Sequence, residues 1–169
     1  MSVTAVVLAA GEASRFGAPK QRLLLPRVLA RLAEAAVDEV VVVAGAHSLG
    51  DAAGSARVVD CPEWERGPGA SLRCGLAALD PATEAAVVVL ADGPHLRPEA
   101  VARVLGAWRD GAGPLVAAAY RGERGHPLVV ARALWEGIPD EGLRGLEPAL
   151  VPCDDLGSPG DVDTVEELP

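Results

Sequence analysis

Three short apolar runs constrain the fold of this chain more than any other feature: Val3 to Ala10, Val40 to Ala44 and Ala86 to Ala91. Each is rich in β-branched residues, bounded by turn formers and short for a helix. A strand with one wet face alternates apolar and polar residues, whereas these runs are apolar at nearly every position, so both of their faces are expected to be covered. They read as buried parallel strands, which require helices packed on them.

The segments between the runs supply those helices. Arg27 to Ala36 places Val28, Leu32 and Ala35 on one face, and Pro26 suits a first helical turn, so the spacing predicts a covering helix there. Further helices are expected at Ala70 to Leu79, Pro98 to Trp108 and Ala131 to Gly137, with a short strand at Arg57 to Asp60. After Trp108, Pro114 to Tyr120 and Pro127 to Val130 read as strands joined by Arg121 to His126, a small antiparallel insertion. Gly137 to Gly160 is rich in glycine, proline and acids. Asp161 to Leu168 then reads as a loop entering a last helix, capped by Thr164 with Glu167 in the reciprocal position. No repeat or linker divides the chain, and the expected fold is α/β, mostly parallel, in one domain over residues 1–169.

Composition narrows the function. Hydrophobic residues make up 50% and charged residues 23%, which excludes disorder. Aromatics are only 3%, leaving the core to Ala, Val and Leu, a composition suited to thin strands closely covered by small-residue helices. The formal charge of −9 and the lack of an aromatic-interleaved basic stripe disfavour nucleic acid as a partner. No apolar run approaches the roughly 20 residues that span a bilayer, and no basic segment opens the chain, so no membrane partner and a cytoplasmic location are expected. Cys61, Cys74 and Cys153 are odd in number and form no Cys-x-x-Cys pair. They are expected to be reduced and passive rather than part of a disulfide or zinc site. Of the 15 basic residues 14 are arginine and Lys20 alone is lysine; asparagine is absent, and Gln21, Phe16, Tyr120 and Ile138 also occur once each. A single lysine in an arginine-rich chain points to a task for a compact charge that a planar guanidinium would not perform.

The first run leads into Leu8-Ala9-Ala10-Gly11-Glu12-Ala13-Ser14-Arg15-Phe16-Gly17-Ala18-Pro19-Lys20. In open α/β sheets ligands sit at the carboxyl ends of strands, where exposed amides and helix starts receive phosphate oxygens. The spacing fits neither a Walker loop nor a dinucleotide fingerprint. Small residues let the backbone approach a ligand, and Arg15 and Lys20 add two positive charges. The pattern Leu-Ala-Ala-Gly-x-x-x-Arg-x-Gly-x-x-Lys resembles the signature of the MobA-like NTP transferases, nucleotidyltransferases related to the molybdenum cofactor enzymes. That resemblance implies a single-domain, three-layer αβα, Rossmann-like nucleotidyltransferase fold. It also implies that Leu8, Ala9, Ala10 and Gly11 hold a nucleotide, with Lys20 and Arg15 acting on its phosphates.

Four further segments extend the resemblance. The run from Ala86 ends in Asp92-Gly93-Pro94, where an aspartate also suits a turn; the family's Asp-x-Pro at this strand end implies that Asp92 holds Mg²⁺. Trp64 to Gly75, containing Ser71-Leu72-Arg73, is similar to a family stretch beside the nucleotide, which implies contacts from Ser71 and Arg73 with Asp60 nearby. Arg124-Gly125-His126-Pro127 is similar to the family's Arg-Gly-His-Pro and puts His126 on the acceptor side as a lining residue rather than a base. Asp161-Val162-Asp163-Thr164 matches the family's Asp-x-Asp-Thr, implying a second metal carboxylate at Asp163 with Asp161 in reserve, although acids before a helix also suit its dipole.

The reaction implied is nucleotidyl transfer, in which a phosphorylated acceptor attacks the α-phosphate of a nucleoside triphosphate and expels pyrophosphate. Leu-Ala-Ala-Gly and Ser-Leu-Arg resemble the cytidylyltransferase of the family, which implies CTP as substrate, molybdopterin as acceptor, Mg²⁺ as cofactor, and molybdoenzymes or cofactor-handling proteins as partners. A guanylyltransferase, a sugar-phosphate nucleotidyltransferase and a nucleotide-binding partner without turnover are the alternatives. The last is favoured by two departures from the family pattern. The chain passes from Pro26 straight to Arg27-Val28-Leu29 without a Gly-Lys-Pro turn, and Gly142 to Glu147 stands where the family has Gly-Asp-x-Gly-x-Arg.

Overall fold

The computed structural model describes residues 2–11 and 20–160, and the apolar runs form the centre of its sheet. β1 (Ser2–Ala9), β2 (Glu39–Ala44), β3 (Arg57–Asp60) and β4 (Thr83–Leu90) run parallel. β5 (Leu115–Tyr120) and β6 (Glu123–Ala131) form a hairpin, and β7 (Ala149–Pro152) adds to β5 at the edge. The strand order is β3-β2-β1-β4-β6-β5-β7, and β6 alone among the described strands runs against its neighbours. Val6 of β1 lies between Val41 and Val88 in register, and all three are buried.

Alternation along β1 divides the core into two layers. Val3, Ala5, Val7 and Ala9 face α1 (Lys20–Leu32) and α3 (Pro98–Arg109), meeting Leu25, Val28, Val101 and Leu105. Val6 and Ala10 face α2 (Pro68–Ala77), meeting Leu72 and Leu76. This is the three-layer arrangement implied by the resemblance. Helix α2 lies close to the sheet because position 75 is glycine: a Cβ there would stand 2.8 Å from the side chains of Val6 and Val43. The chain lays β2 and β3 on one side of β1, then returns to place β4 on the other. The reversal opens a crevice at the carboxyl ends of β1 and β4, where ligands bind in open α/β sheets.

Several local expectations are corrected by tertiary contacts. The first helix spans Lys20–Leu32 rather than Arg27 to Ala36, and Pro26 sits inside it. An internal proline costs about 3 kcal/mol, but the longer helix also buries Leu24 and Leu25 completely, at roughly 1.5–3 kcal/mol each. The helix expected at Ala131 to Gly137 is instead the end of β6, where Ala131 pairs with Ala85, followed by a 3₁₀ turn at Arg132–Leu134. Arg132 anchors that turn by donating to the carbonyls of Thr83 (2.6 Å) and Asp80 (2.9 Å). The hairpin turns on Arg121 and Gly122, both at positive φ, so Glu123 to His126 belong to a strand rather than to the expected connection. β7 lies in a segment without strand periodicity in its sequence. It forms because β5 offers a free edge, with Val116 to Ala119 pairing Ala149 to Pro152. The expected helix beyond Asp161 lies outside the described residues.

The cysteines also depart from expectation. Cys61 and Cys74 form a disulfide, with Cα atoms 5.8 Å apart, inside the range a disulfide spans. Cys61 follows β3 and its amide donates to Ala44 (2.8 Å), while α2 runs back over the sheet and brings Cys74 to it. Thirteen residues of separation hid the pair from spacing rules. Cys153 is free and buried. No helix among the described residues is long and apolar enough to cross a membrane.

Candidate active site

The crevice at the sheet reversal is a cavity of about 330 Å³ that gathers residues from four separate segments. Leu8 and Leu90 are register partners, and the amide of Ala91 donates to the Leu8 carbonyl (3.1 Å). The turns that follow β1 and β4 therefore leave the sheet side by side. Gly11 and Asp92 sit on those turns and both line the cavity, as do Leu8 and Ala10. The third side is α2, whose first turn supplies Pro68 and the buried Ser71. Trp64 packs beside Ala10 in the same apolar cluster.

Five of the sequence-predicted residues thus meet: Leu8, Ala10, Gly11, Ser71 and Asp92. Three others are placed elsewhere. Ala9 is 3% exposed and belongs to the opposite layer, against α1 and α3, because it alternates with Leu8 and Ala10. Asp60 ends β3 at the edge of the sheet, exposed and away from the cavity lining. Arg73, expected at an anion, is absent from the cavity lining and is held by the protein itself. It donates to the Ile138 carbonyl and to Asp140 Oδ1, both at 2.6 Å. Arg66 approaches the other Asp140 oxygen at 3.3 Å, and hydrogen bonding to Arg73, followed by the charge of Arg66, holds the Asp140 carboxyl below its ordinary pKa. Lys20 opens α1, but its side chain, Arg15, Asp161 and Asp163 lie outside the described residues.

The electrostatics of the described lining are one-sided. Asp92 and Glu65 bring carboxylates, and none of the described lining residues is Lys or Arg. A triphosphate in this cavity therefore needs cations from elsewhere. The turn between Gly11 and Lys20 carries Arg15 and Lys20 in sequence, and a divalent metal would supply the rest. Asp92 suits a hard cation: Mg²⁺ takes one or two carboxylates and fills its remaining positions with phosphate and water oxygens. Among the described residues no group of three or more His, Cys, Asp or Glu forms a metal cluster.

A second cavity of about 380 Å³ shares Leu8, Pro68 and Leu90 with the first and extends toward β6. His126 and Arg124 line it from β6, and Arg144 from the segment before β7. Arg124 is held there by donating to the carbonyl of Leu146 at 2.7 Å. The Tyr120 hydroxyl donates to the His126 carbonyl at 2.8 Å, fixing the strand that carries the imidazole. Burial, with a smaller contribution from the Arg124 charge, pushes the His126 pKa down to about 4. The imidazole is neutral at pH 7 and lines the cavity without storing a proton.

That environment has a consequence for acid stability. Between about pH 6.5 and about 4 the unfolded chain protonates this histidine while the folded chain does not, so the unfolded state binds more protons and stability falls as pH falls. The expected loss is as much as about 3 kcal/mol. Urea unfolding of wild type and His126→Gln at stepped pH isolates it: the variant should lose part of the acid slope, and parallel profiles would contradict the burial of the imidazole.

One lining residue carried only a compositional signal. Gln21, the single glutamine of the chain, is 7% exposed, lines the first cavity and donates from Nε2 to the Gly11 carbonyl at 2.9 Å. Asp140 carried none, because its role depends on arginines far away in sequence.

Comparison with known proteins places this geometry. No curated protein sequence matches the chain. Among solved structures it is similar to Rv0371c from Mycobacterium tuberculosis H37Rv, at 27% identity and a TM-score of 0.81, covering 98% of this chain and 94% of that one. A structure of Rv0371c in complex with manganese matches at 23% identity and 0.72, over 90% and 89%. A nucleotidyl transferase from Methanothermobacter (Mth528) shares the fold at 18% identity and 0.75, over 98% and 94%. So does CMP:2-keto-3-deoxy-manno-octonic acid synthetase complexed with CTP, at 14% identity and 0.74, over 97% and 94%. The profile of the MobA-like NTP transferase domain matches residues 5–149, which includes both strand-end turns and α2, and the chain therefore belongs to the MobA-like NTP transferase family, whose chemistry is nucleotidyl transfer.

Proposed function

We propose that this protein transfers CMP from CTP to a phosphorylated acceptor, molybdopterin, with release of pyrophosphate. The observation that carries the reading is the meeting of the Leu8 to Gly11 turn with Asp92 at the sheet reversal, in one cavity. A second cavity shares Leu8, Pro68 and Leu90 with it and is bordered by Arg124, Arg144 and Glu141, two cations against one carboxylate, which suits an anionic acceptor. The structure of a fold relative complexed with CTP and the manganese complex of Rv0371c support a nucleotide and a divalent metal as ligands.

Phosphoryl chemistry of this kind depends on alignment and charge neutralisation more than on covalent help. The Leu8 to Gly11 backbone would hold the nucleotide, with Ser71 and Trp64 bounding it. Lys20 and Arg15 would take up charge moving to the leaving pyrophosphate. The acceptor phosphate is already ionised, so no general base is needed and a neutral His126 suffices. Asp92 and Asp163 would hold Mg²⁺, which would supply positive charge against the phosphates. Asp163 is three residues beyond Gly160, and the neighbouring Pro159 carbonyl accepts from the amide of His95, three residues past Asp92 (3.0 Å); the chain arrives beside Asp92 just before the Asp-x-Asp-Thr segment.

Pyrophosphate release tests the reading: with Mg²⁺ and molybdopterin, CTP is expected to turn over faster than GTP, UTP or ATP. Silence with every pair, including sugar 1-phosphates, overturns it, and nucleotide binding without release favours a partner role. Lys20→Arg is expected to lower kcat/KM about 10- to 100-fold, because the broad guanidinium cannot occupy the place of a compact ammonium. The same exchange would be silent at a generic surface position, so wild-type kinetics would assign Lys20 no special role.

A further inference from the structure

We infer that Gln21 reads the nucleoside part of the nucleotide, its Oε1 accepting a hydrogen bond from the exocyclic amine of the base or the 2′-hydroxyl of the ribose; this rests on the nucleotide reading of the same cavity. Gln21 is the only carboxamide side chain in the chain, since asparagine is absent. It is 93% buried, that is 7% exposed, and it lines the cavity together with Ser71 and Asp92. One half of the carboxamide is used: Nε2 donates to Gly11 (2.9 Å). The other half is buried without a hydrogen-bond partner among the described residues.

The orientation of the amide follows from its neighbour. Exchanging oxygen and nitrogen would turn Oε1 onto the Gly11 carbonyl, two acceptors face to face, so the Gly11 bond dictates that the oxygen points elsewhere. A buried acceptor left unsatisfied costs about 1–3 kcal/mol, and folded proteins rarely tolerate one away from a functional site. The nucleotide can satisfy it only through a proton-bearing group. Ionised phosphate oxygens carry none and would repel Oε1. The exocyclic amine of cytosine and the ribose hydroxyls carry one. A site built around such a bond discriminates strongly against ligands that lack it, because the protein atom is then left unpaired.

The test compares wild type with Gln21→Met, which keeps length and apolar volume but removes the carboxamide. Binding of CTP, UTP and 2′-deoxyCTP is measured calorimetrically with Mg²⁺ present. CTP affinity is expected to fall about tenfold in the variant, equivalent to about 1.4 kcal/mol, with a smaller loss for one of the other two nucleotides. Convergence of CTP and UTP assigns the bond to the base amine; convergence of CTP and 2′-deoxyCTP assigns it to the ribose. An equal loss for all three, or no loss, overturns the inference and leaves Gln21 only as a brace for Gly11. Because the carboxamide is unique, a nitrogen-labelled wild-type protein shows one side-chain amide pair, which serves even if the variant does not fold. Saturating CTP is expected to move that pair more than UTP or 2′-deoxyCTP does, and a pair unmoved by all three overturns the inference. Wild-type protein that binds no triphosphate overturns the nucleotide reading itself, and this inference with it.

Discussion

Replacing Asp92 with asparagine is expected to lower kcat/KM for pyrophosphate release by about 10³-fold while leaving the fold intact. The substitution preserves size and removes one negative charge at the point where β4 delivers its end to the Leu8 to Gly11 turn. A carboxylate at this strand end would hold the divalent cation that a triphosphate requires beside it, and losing one preorganised charge from such a site costs about 10²–10³ in rate, more when a metal is lost with it. Asp92 is half-buried and follows a strand whose core positions are untouched by the change. Thermal unfolding should therefore move by only a few degrees. The measurement is pyrophosphate release across a Mg²⁺ titration, with the melting temperature as control; activity near wild type at any Mg²⁺ concentration would remove Asp92 from its assigned role.

Gly69→Ala is expected to destabilise the protein by about 3–5 kcal/mol, among the larger effects a single methyl group produces. An added Cβ would overlap the Pro139 carbonyl oxygen and stand 2.8 Å from the Gly142 amide nitrogen. Both neighbours are backbone, so neither escapes by a rotamer change. The Gly69 amide also donates to the Asp140 carbonyl at 2.8 Å, and the Asp140 carboxylate receives Arg73 and Arg66. Displacing the segment breaks these bonds together. For a chain of this length the melting temperature should fall by roughly 10 °C, and a shift within two degrees would show that the Pro139 to Gly142 segment yields easily. The segment runs on into the second cavity, which Glu141 to Arg144 line, while Gly67 and Pro68 next to Gly69 line the first. Gly69→Ala should accordingly impair acceptor use before nucleotide binding.

Features that depend on neighbours a few residues apart were legible in the sequence. The apolar runs carried β1, β2 and β4, because burial on both faces demands continuous apolar residues. The turn from Leu8 to Lys20 was found by type and spacing and the acid after β4 through the family resemblance, and the sheet reversal then brought Gly11 and Asp92 to one cavity. Helix α1 was misjudged at its start because proline rules are local, whereas complete burial of Leu24 and Leu25 is not. β7 left no periodic trace because an edge strand is chosen by the partner it pairs, here β5.

Arg73 shows the division most clearly. Its place in Ser71-Leu72-Arg73 pointed to an anion, and it does bind one, but the anion is Asp140, 67 residues away. The Cys61–Cys74 disulfide and the half-used Gln21 carboxamide follow the same rule. The order of residues alone determined the strands other than β7, through local conformational preference and burial along a single segment, and the phosphate-type turn and the family, through resemblance to a known signature. Which charges are consumed inside the protein and which groups remain open to a ligand was decided only by tertiary structure, because a hydrogen bond or ion pair acts within about 3 Å and only the fold sets which atoms come that close.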